Sequence, residues 1–380
     1  EELANAEVRD FGDRLIMQSF ADMHLHAPQY PMLGMGMDLP LLDWLNTYTF
    51  PTEARFADVD YARRVYRRLA TDLITNGTTR VCMFSSLHTD ATLVLMDELE
   101  RAGVTGYVGK VNMDRNGLPG KLQETTEESV RETLRWLDGC HFAHVKPIIT
   151  PRFTPSCTNE LMTQLGKLAN ERGLYVQSHL SENTNEIAWV KELHPDCNQY
   201  WETYNKYGMW KDHTLMAHCV HSDERERRAI KDAGVVVVHC ADSNVNICSG
   251  ICPVRQMVRE GLWVTLGSDI AGGAQLPMYK VITMSIRASK ARRVTDEWHP
   301  DFLTVSEGYY LGTTAGHKYF GAGDGFAVGD RLHAVVIDDG DFPEAAHPLS
   351  VQERFERAIY MTHRHNIVSV WSEGREVVRR

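Results

Sequence analysis

Eight short runs rich in apolar and β-branched residues recur along this chain, and helical patterns follow them. The runs cover residues 17–26, 78–86, 106–114, 144–153, 174–182, 214–221, 235–244 and 263–273. Strands that alternate with helices call for a parallel sheet, since a parallel crossover needs a helix-length connection. Eight such units over roughly 300 residues predict a (β/α)8 barrel. A doubly wound open sheet is the alternative, but no GxGxxG fingerprint opens any unit.

Local signals place the helices between these runs. Asp58 is a cap for a helix ending at Asn76-Gly77, and Thr125 with Glu128 forms a capping-box pattern. Pro253 suits the first turn of a helix that closes at Gly261. In the first of these helices Ala62, Val65, Tyr66, Leu69, Ala70, Leu73 and Ile74 recur at the spacing of one face. The run "RRVYRR" (63–68) is then a solvated face. After about residue 325 the pattern changes. "GDRLHAVVIDD" and "NIVSVWSEGREVV" read as short antiparallel strands of a small β appendage.

Composition excludes several partner classes. The formal net charge of −11 disfavours a duplex nucleic-acid binder, whose affinity rests on cationic surface. No apolar run approaches the roughly 20 residues of a membrane helix. Eight scattered cysteines fit a reducing cytoplasm better than a disulfide framework. Cys248 and Cys252 are four apart with no CxxC partner, so a structural zinc knot is not expected.

Barrels gather their chemistry at the C-terminal ends of the strands. Here the run ends carry Asp22, His24 and His26; Arg152; His179 and Glu182; His218 and His221; His239, Ser243 and Asn244; and Asp269. Strand side chains alternate, so His24 and His26 share a face and can reach one metal in the barrel mouth. The turn that follows aims Gln29 at a substrate. Each piece alone has a bland reading. A satisfied core histidine is commoner than a ligand, Asp269 could cap a helix, and Glu182 could favour the start of the next helix through its dipole. All of them falling at strand ends is what favours a site.

"FADMHLHAPQY" (20–30), "VKPIITPRF" (145–153), "QSHLSEN" (177–183), "LMAHCVH" (215–221) and "LGSDIAGG" (266–273) resemble the ordered motifs of the amidohydrolase superfamily. "DLPLLDWLNTYTFPTEARF" (38–56) narrows the resemblance to its guanine deaminases, from about residue 11 to the chain end. The resemblance implies a (β/α)8 barrel over 20–324 and a small β-sandwich domain from 1–19 and 325–380, its N-terminal part incomplete in a chain that opens at Glu1. It implies hydrolytic deamination of guanine to xanthine and ammonia by a metal-activated water. His24, His26, His179 and Asp269 would bind one zinc per protomer. Asp269 would also handle the proton of the attacking water, Glu182 would shuttle protons, and His218 would lie beside the water. Gln29, Arg152, Phe153 and Glu182 would hold the purine, and Asp22 would orient a ligand.

The resemblance also implies a homodimer; a cytoplasmic location and the absence of a nucleic-acid or membrane partner are expected from the cysteines, the charge and the apolar runs. Two positions depart from the superfamily pattern: Gln18-Ser19 stands where Pro-Gly is common, and Ala241-Asp242 follows His239-Cys240 where Pro is common. The close alternatives are an 8-oxopurine, cytosine or triazine deaminase on the same barrel. A catalytically silent barrel scaffold is the rival of another class. The H-x-E…P-C-x-x-C signature of the cytidine-deaminase fold is absent, as is the HExxH of zincin proteases.

Overall fold

The computed structural model describes residues 8–295, 301–323 and 325–380. Residues 1–7 of the expected β appendage and Asp324 at the expected barrel boundary lie outside them. Among the described residues there are fourteen strands, most of them separated by helices. β1 (Leu15–Gln18) precedes β2 (Phe20–His26), β3 (Thr78–Phe84), β4 (Thr105–Gly109) and β5 (Val111–Asn112). β6 (Val145–Pro147), β7 (Thr150–Pro151), β8 (Gln177–Leu180), β9 (Leu215–His218), β10 (Val236–His239) and β11 (Trp263–Leu266) follow. β12 (Ala334–Ile337), β13 (Ile367–Ser372) and β14 (Arg375–Arg379) end the chain.

The parallel strands form two arcs, β2-β3-β4-β6 and β8-β9-β10-β11, with β5 and β7 paired beyond β4 and β6. Two seams close the ring. At one, Ile149 N donates to Tyr175 O and Gln177 N to Ile149 O; at the other, Asp269 N donates to His24 O and His26 N to Ile270 O. The second seam brings the ends of the first and last barrel strands together. Gly267 makes this approach possible: a Cβ there would lie 2.8 Å from His24 Cβ and 2.9 Å from the His24 carbonyl oxygen.

Ala21, Met23, Cys82, Ile148, Leu215, Ala217, Val236 and Val238 pack together, with Tyr319 buried among them. The barrel is thus a packed core with chemistry at one end. A larger cluster joins the barrel wall to its helices. In the helix Val59–Thr75, Tyr66, Leu69 and Leu73 are buried, while Arg63 and Arg67 pair with Glu98 at the surface. The basic run is therefore a solvated face.

The capping signals operate as expected. Asp58 accepts from Asp60 N and Tyr61 N, and Thr125 and Glu128 form a capping box. Some run boundaries move. The 17–26 run is cut at Ser19, because Met17 and Gln18 pair antiparallel with Val335 and Ala334 in the sheet β1-β12-β13-β14. The 235–244 run ends at His239, and Ala241–Asn246 is helical. Its Asp242 sits in the first helical turn and accepts from Ala274 N, tying that turn to the loop after β11. The Gln18-Ser19 departure lies at the opposite end of β2 from the histidines: Gln18 Oε1 accepts from Thr314, and Ser19 Oγ is 2.6 Å from Thr79 Oγ1.

Candidate active site

β2 carries His24 and His26 on one face, as period-2 alternation requires. β8 brings His179, β9 brings His218, and the turn after β11 brings Asp269. Their ring nitrogens and carboxylate converge. His26 Nε2 lies 3.1 Å from His179 Nε2. Asp269 Oδ1 lies 3.3 Å from His24 Nε2 and 3.6 Å from His26 Nε2, and Asp269 Oδ2 lies 3.8 Å from His218 Nε2. The potential ligand atoms of His24, His26 and His179 all lie within 4.8 Å of one another, as do those of His24, His218 and Asp269. Every one of these side chains is buried. His218 and Asp269 adopt φ of 75° and 46°, the left-handed region that non-glycine residues reach only under strain, and such residues cluster at functional sites.

The donor set suits a divalent ion. His24 Nε2 is buried and meets no acceptor in good hydrogen-bond geometry among the described residues; the Asp269 carboxylate lies beside it at 3.3 Å. Two donors held about 2.0–2.1 Å from one ion stand a little over 3 Å apart, the spacing seen between His26 and His179. Burial, reinforced by the neighbouring imidazoles, holds His26 and His179 well below the usual histidine range; burial also lowers His24, against the pull of Asp269. Neutral imidazole is the form that binds metal. Burial alone would raise Asp269, but contact with His24 and the charges of His218 and His26 outweigh it and hold the carboxyl below its ordinary range.

Partners around this cluster fix its orientation. His179 Nδ1 donates to the Arg152 carbonyl oxygen at 2.6 Å, turning Nε2 toward the cluster. His218 Nδ1 donates to Asn244 Oδ1 at 2.8 Å, so Asn244 acts through His218. Among the described residues, the hydrogen bonds of Asp22 reach no imidazole. Asp22 accepts from the backbone of His24 at 3.4 Å and from Ser268 N and Oγ, thereby tying β2 to the residue before Asp269. His221 points away, with Nε2 2.8 Å from Ser249 O. His239 is buried beneath, with neither ring nitrogen hydrogen-bonded among the described residues.

Glu182 lies beside the cluster and not in it. Its Oε2 is 3.5 Å from His218 Nε2, and Ser249 donates to its Oε1. The helix-start role falls to Asn183 and Glu186, which form the capping box of the helix Thr184–Leu193. Burial pushes the Glu182 carboxyl up to about 7, helped by the charges of Glu186 and Asp269 and opposed by His218 and Ser249. A carboxyl poised there can both take and give a proton near neutral pH.

A cavity opens above these groups, lined by Gln29, Arg152, Phe153, Trp44, Leu45 and Ile247 among others. Behind its polar wall sits Glu53, to which no role fell in the sequence. Arg152 Nη1 and Nη2 donate to Glu53 at 2.6 and 3.0 Å, and Gln29 Nε2 donates to it at 2.9 Å. The apolar roof comes from the short helical turns Leu41–Trp44 and Leu45–Thr49. The "TFPTE" run holds Glu53, so the segment was legible while its task was not. Trp44 lies in the longer 38–56 run, again with its task unread, and Ile247 carried no signal: single apolar residues look alike in roof and core.

The model of the Amidohydrolase family matches residues 15–377. The mouse guanine deaminase is 36% identical over 98% of this chain and 85% of its own length, and the Escherichia coli enzyme is 30% identical over 98% and 82%. The chain belongs to the guanine deaminases of the amidohydrolase family. Among solved structures, a guanine deaminase from C. acetobutylicum with guanine bound in its active site superposes with a TM-score of 0.95 at 45% identity, covering 99% of this chain and 90% of that one. A triazine hydrolase from Arthrobacter shares the fold at 16% identity and a TM-score of 0.84, covering 96% of this chain and 83% of that one. The parallel barrel and its family are therefore as the motifs indicated.

Proposed function

We propose that this chain hydrolyses guanine to xanthine and ammonia, with His24, His26, His179 and Asp269 holding one zinc ion per protomer. The observation that carries this reading is the coupling of two groups at one cavity: a convergent donor set of three imidazoles and a carboxylate, and a buried Gln29–Glu53–Arg152 network beside it. The C. acetobutylicum relative holds guanine in its active site, which supports the same substrate here. When bound, the ion would lower the pKa of a water from about 15.7 toward 7.

The chain's own residues then do the rest. Gln29 and Arg152 grip the polar edge of the purine, and Phe153 packs on its ring. That fixes C2 over the donor set. Asp269 takes the proton of the incoming water. Glu182, buried and raised toward neutrality, carries protons to the ring nitrogen and the departing amine. His218, between Glu182 and Asp269, hydrogen-bonds the oxygen that adds to C2. Ammonia leaves and the C2 carbonyl of xanthine remains.

The division into a barrel over 20–324 and a small β domain from 1–19 and 325–380 belongs to this reading. So do a homodimer, a cytoplasmic location and a place in purine breakdown; the guanine deaminase resemblance supports them. Purified protein incubated with guanine should release ammonia and xanthine in equal amounts. Absence of both from metal-loaded protein would refute the reading.

A further inference from the structure

We propose that Glu53 is the positioning residue that sets the purine selectivity of this site, by fixing Gln29 and Arg152 as hydrogen-bond donors toward the substrate; this rests on the guanine reading above. Glu53 is 1% exposed, and both oxygens of its carboxylate accept from these two residues, through three N–H groups. It is absent from the cavity wall, so it acts through them.

Donor counting shows what it does. A guanidinium has five N–H groups and no acceptor. Two of those on Arg152 go to Glu53, so three remain, all donors. Gln29 is held at both ends of its amide. Its Oε1 accepts from Ala271 N at 3.1 Å, and its Nε2 donates to Glu53. A flipped amide would set its oxygen against the Glu53 carboxylate and its NH2 against the Ala271 N–H. The carboxylate therefore locks the orientation and leaves an N–H of Gln29 free. A donor pair suits the carbonyl at C6 of guanine. It opposes an amine at that position, which is itself a donor.

Neutralisation is the second part. Arg152 is 3% exposed, and its charge already bears on His26. A buried cation beside an ion site needs a carboxylate of its own. The Arg152 guanidinium also lies over the Phe50 ring, 5.3 Å from its centroid, in the same helical turn as Glu53. The "FPTE" turn thus supplies both the face and the counter-charge for one guanidinium.

The probe is 2,6-diaminopurine, which keeps the C2 amine and replaces the C6 carbonyl with an amine. Glu53→Gln keeps the shape but can donate as well as accept, so the Gln29 orientation is no longer enforced. In this variant KM for guanine should rise by about tenfold or more, with a smaller fall in kcat, and the guanine preference in kcat/KM should shrink by at least about tenfold. Bound metal and the circular dichroism spectrum should match wild type. Added to Arg152→Met, the change should cost little further selectivity, since both act on one contact. Glu53→Asp, too short to reach both partners, should shift selectivity the same way and serves if Glu53→Gln does not fold. Unchanged KM and preference in either variant overturns the inference, as does an equal loss of kcat on both purines. Wild-type protein inactive on guanine would instead overturn the functional reading, and this inference with it.

Discussion

His179 Nδ1 donates to the backbone carbonyl of Arg152 across 2.6 Å, while the Arg152 side chain lies against Glu53. One residue thus orients an imidazole of the donor set with its main chain and faces the cavity with its side chain. The two tasks should separate. Arg152→Met should keep its metal, because the carbonyl stays, yet raise KM for guanine by about 10²-fold or more. It should also lose roughly 3–5 kcal/mol of stability, since Glu53 is left buried and unpaired. Adding Glu53→Gln should restore part of that. Denaturant melts and metal content of both variants check this; loss of metal from Arg152→Met would contradict it.

His24→Ala combined with His26→Ala should abolish bound divalent metal and turnover while the barrel remains folded. Elemental analysis beside circular dichroism reads both. Full activity in protein shown to be metal-free would end the metal assignment.

Glu182→Gln tests proton transfer. Shape is nearly kept, so metal and purine affinity should survive, while kcat should fall by roughly 10²–10⁴-fold. Retention of more than about a tenth of wild-type kcat would remove Glu182 from that role. Loss of metal would make it a ligand.

Gly267→Ala should be damaging despite its size. The new methyl would meet His24 Cβ at 2.8 Å and the His24 carbonyl at 2.9 Å, both on the strand that carries the histidines. Overpacking of this kind costs about 1–3 kcal/mol, and here it also displaces His24 and His26, two members of the donor set. A lower melting temperature with weakened metal retention is expected; wild-type values of both would show that the seam between β2 and β11 yields freely.

Much of this site could be read from the chain because strand chemistry is periodic. His24 and His26 had to share a face, and each barrel strand had to end at the same rim. The tail strands β12 to β14 were legible from alternation, whereas the helix Val351–Met361 between them was not foreseen. Residues 241–244 read as the end of a strand because four valines open that run, but the tertiary setting makes Ala241–Asn246 a helix. Glu53 went unassigned for a physical reason. Its partners Gln29 and Arg152 lie 24 and 99 residues away, and only the closed barrel brings them together. The roof role of Trp44 and Ile247 was hidden because nothing local marks an apolar residue as a roof.

A donor-lined cavity beside three imidazoles and a carboxylate should select the 2-amino-6-oxo purine. Ammonia release by the metal-loaded protein, measured as kcat/KM on guanine, adenine, cytosine, 8-oxoguanine and guanosine under one set of conditions, tests it most directly. Guanine should lead adenine and cytosine by roughly 10⁴–10⁵-fold, the discrimination available to a site whose buried polar groups go unpaired with the wrong ligand. Guanosine should be poor, for want of room for a ribose. Comparable turnover of guanine and cytosine would contradict the account.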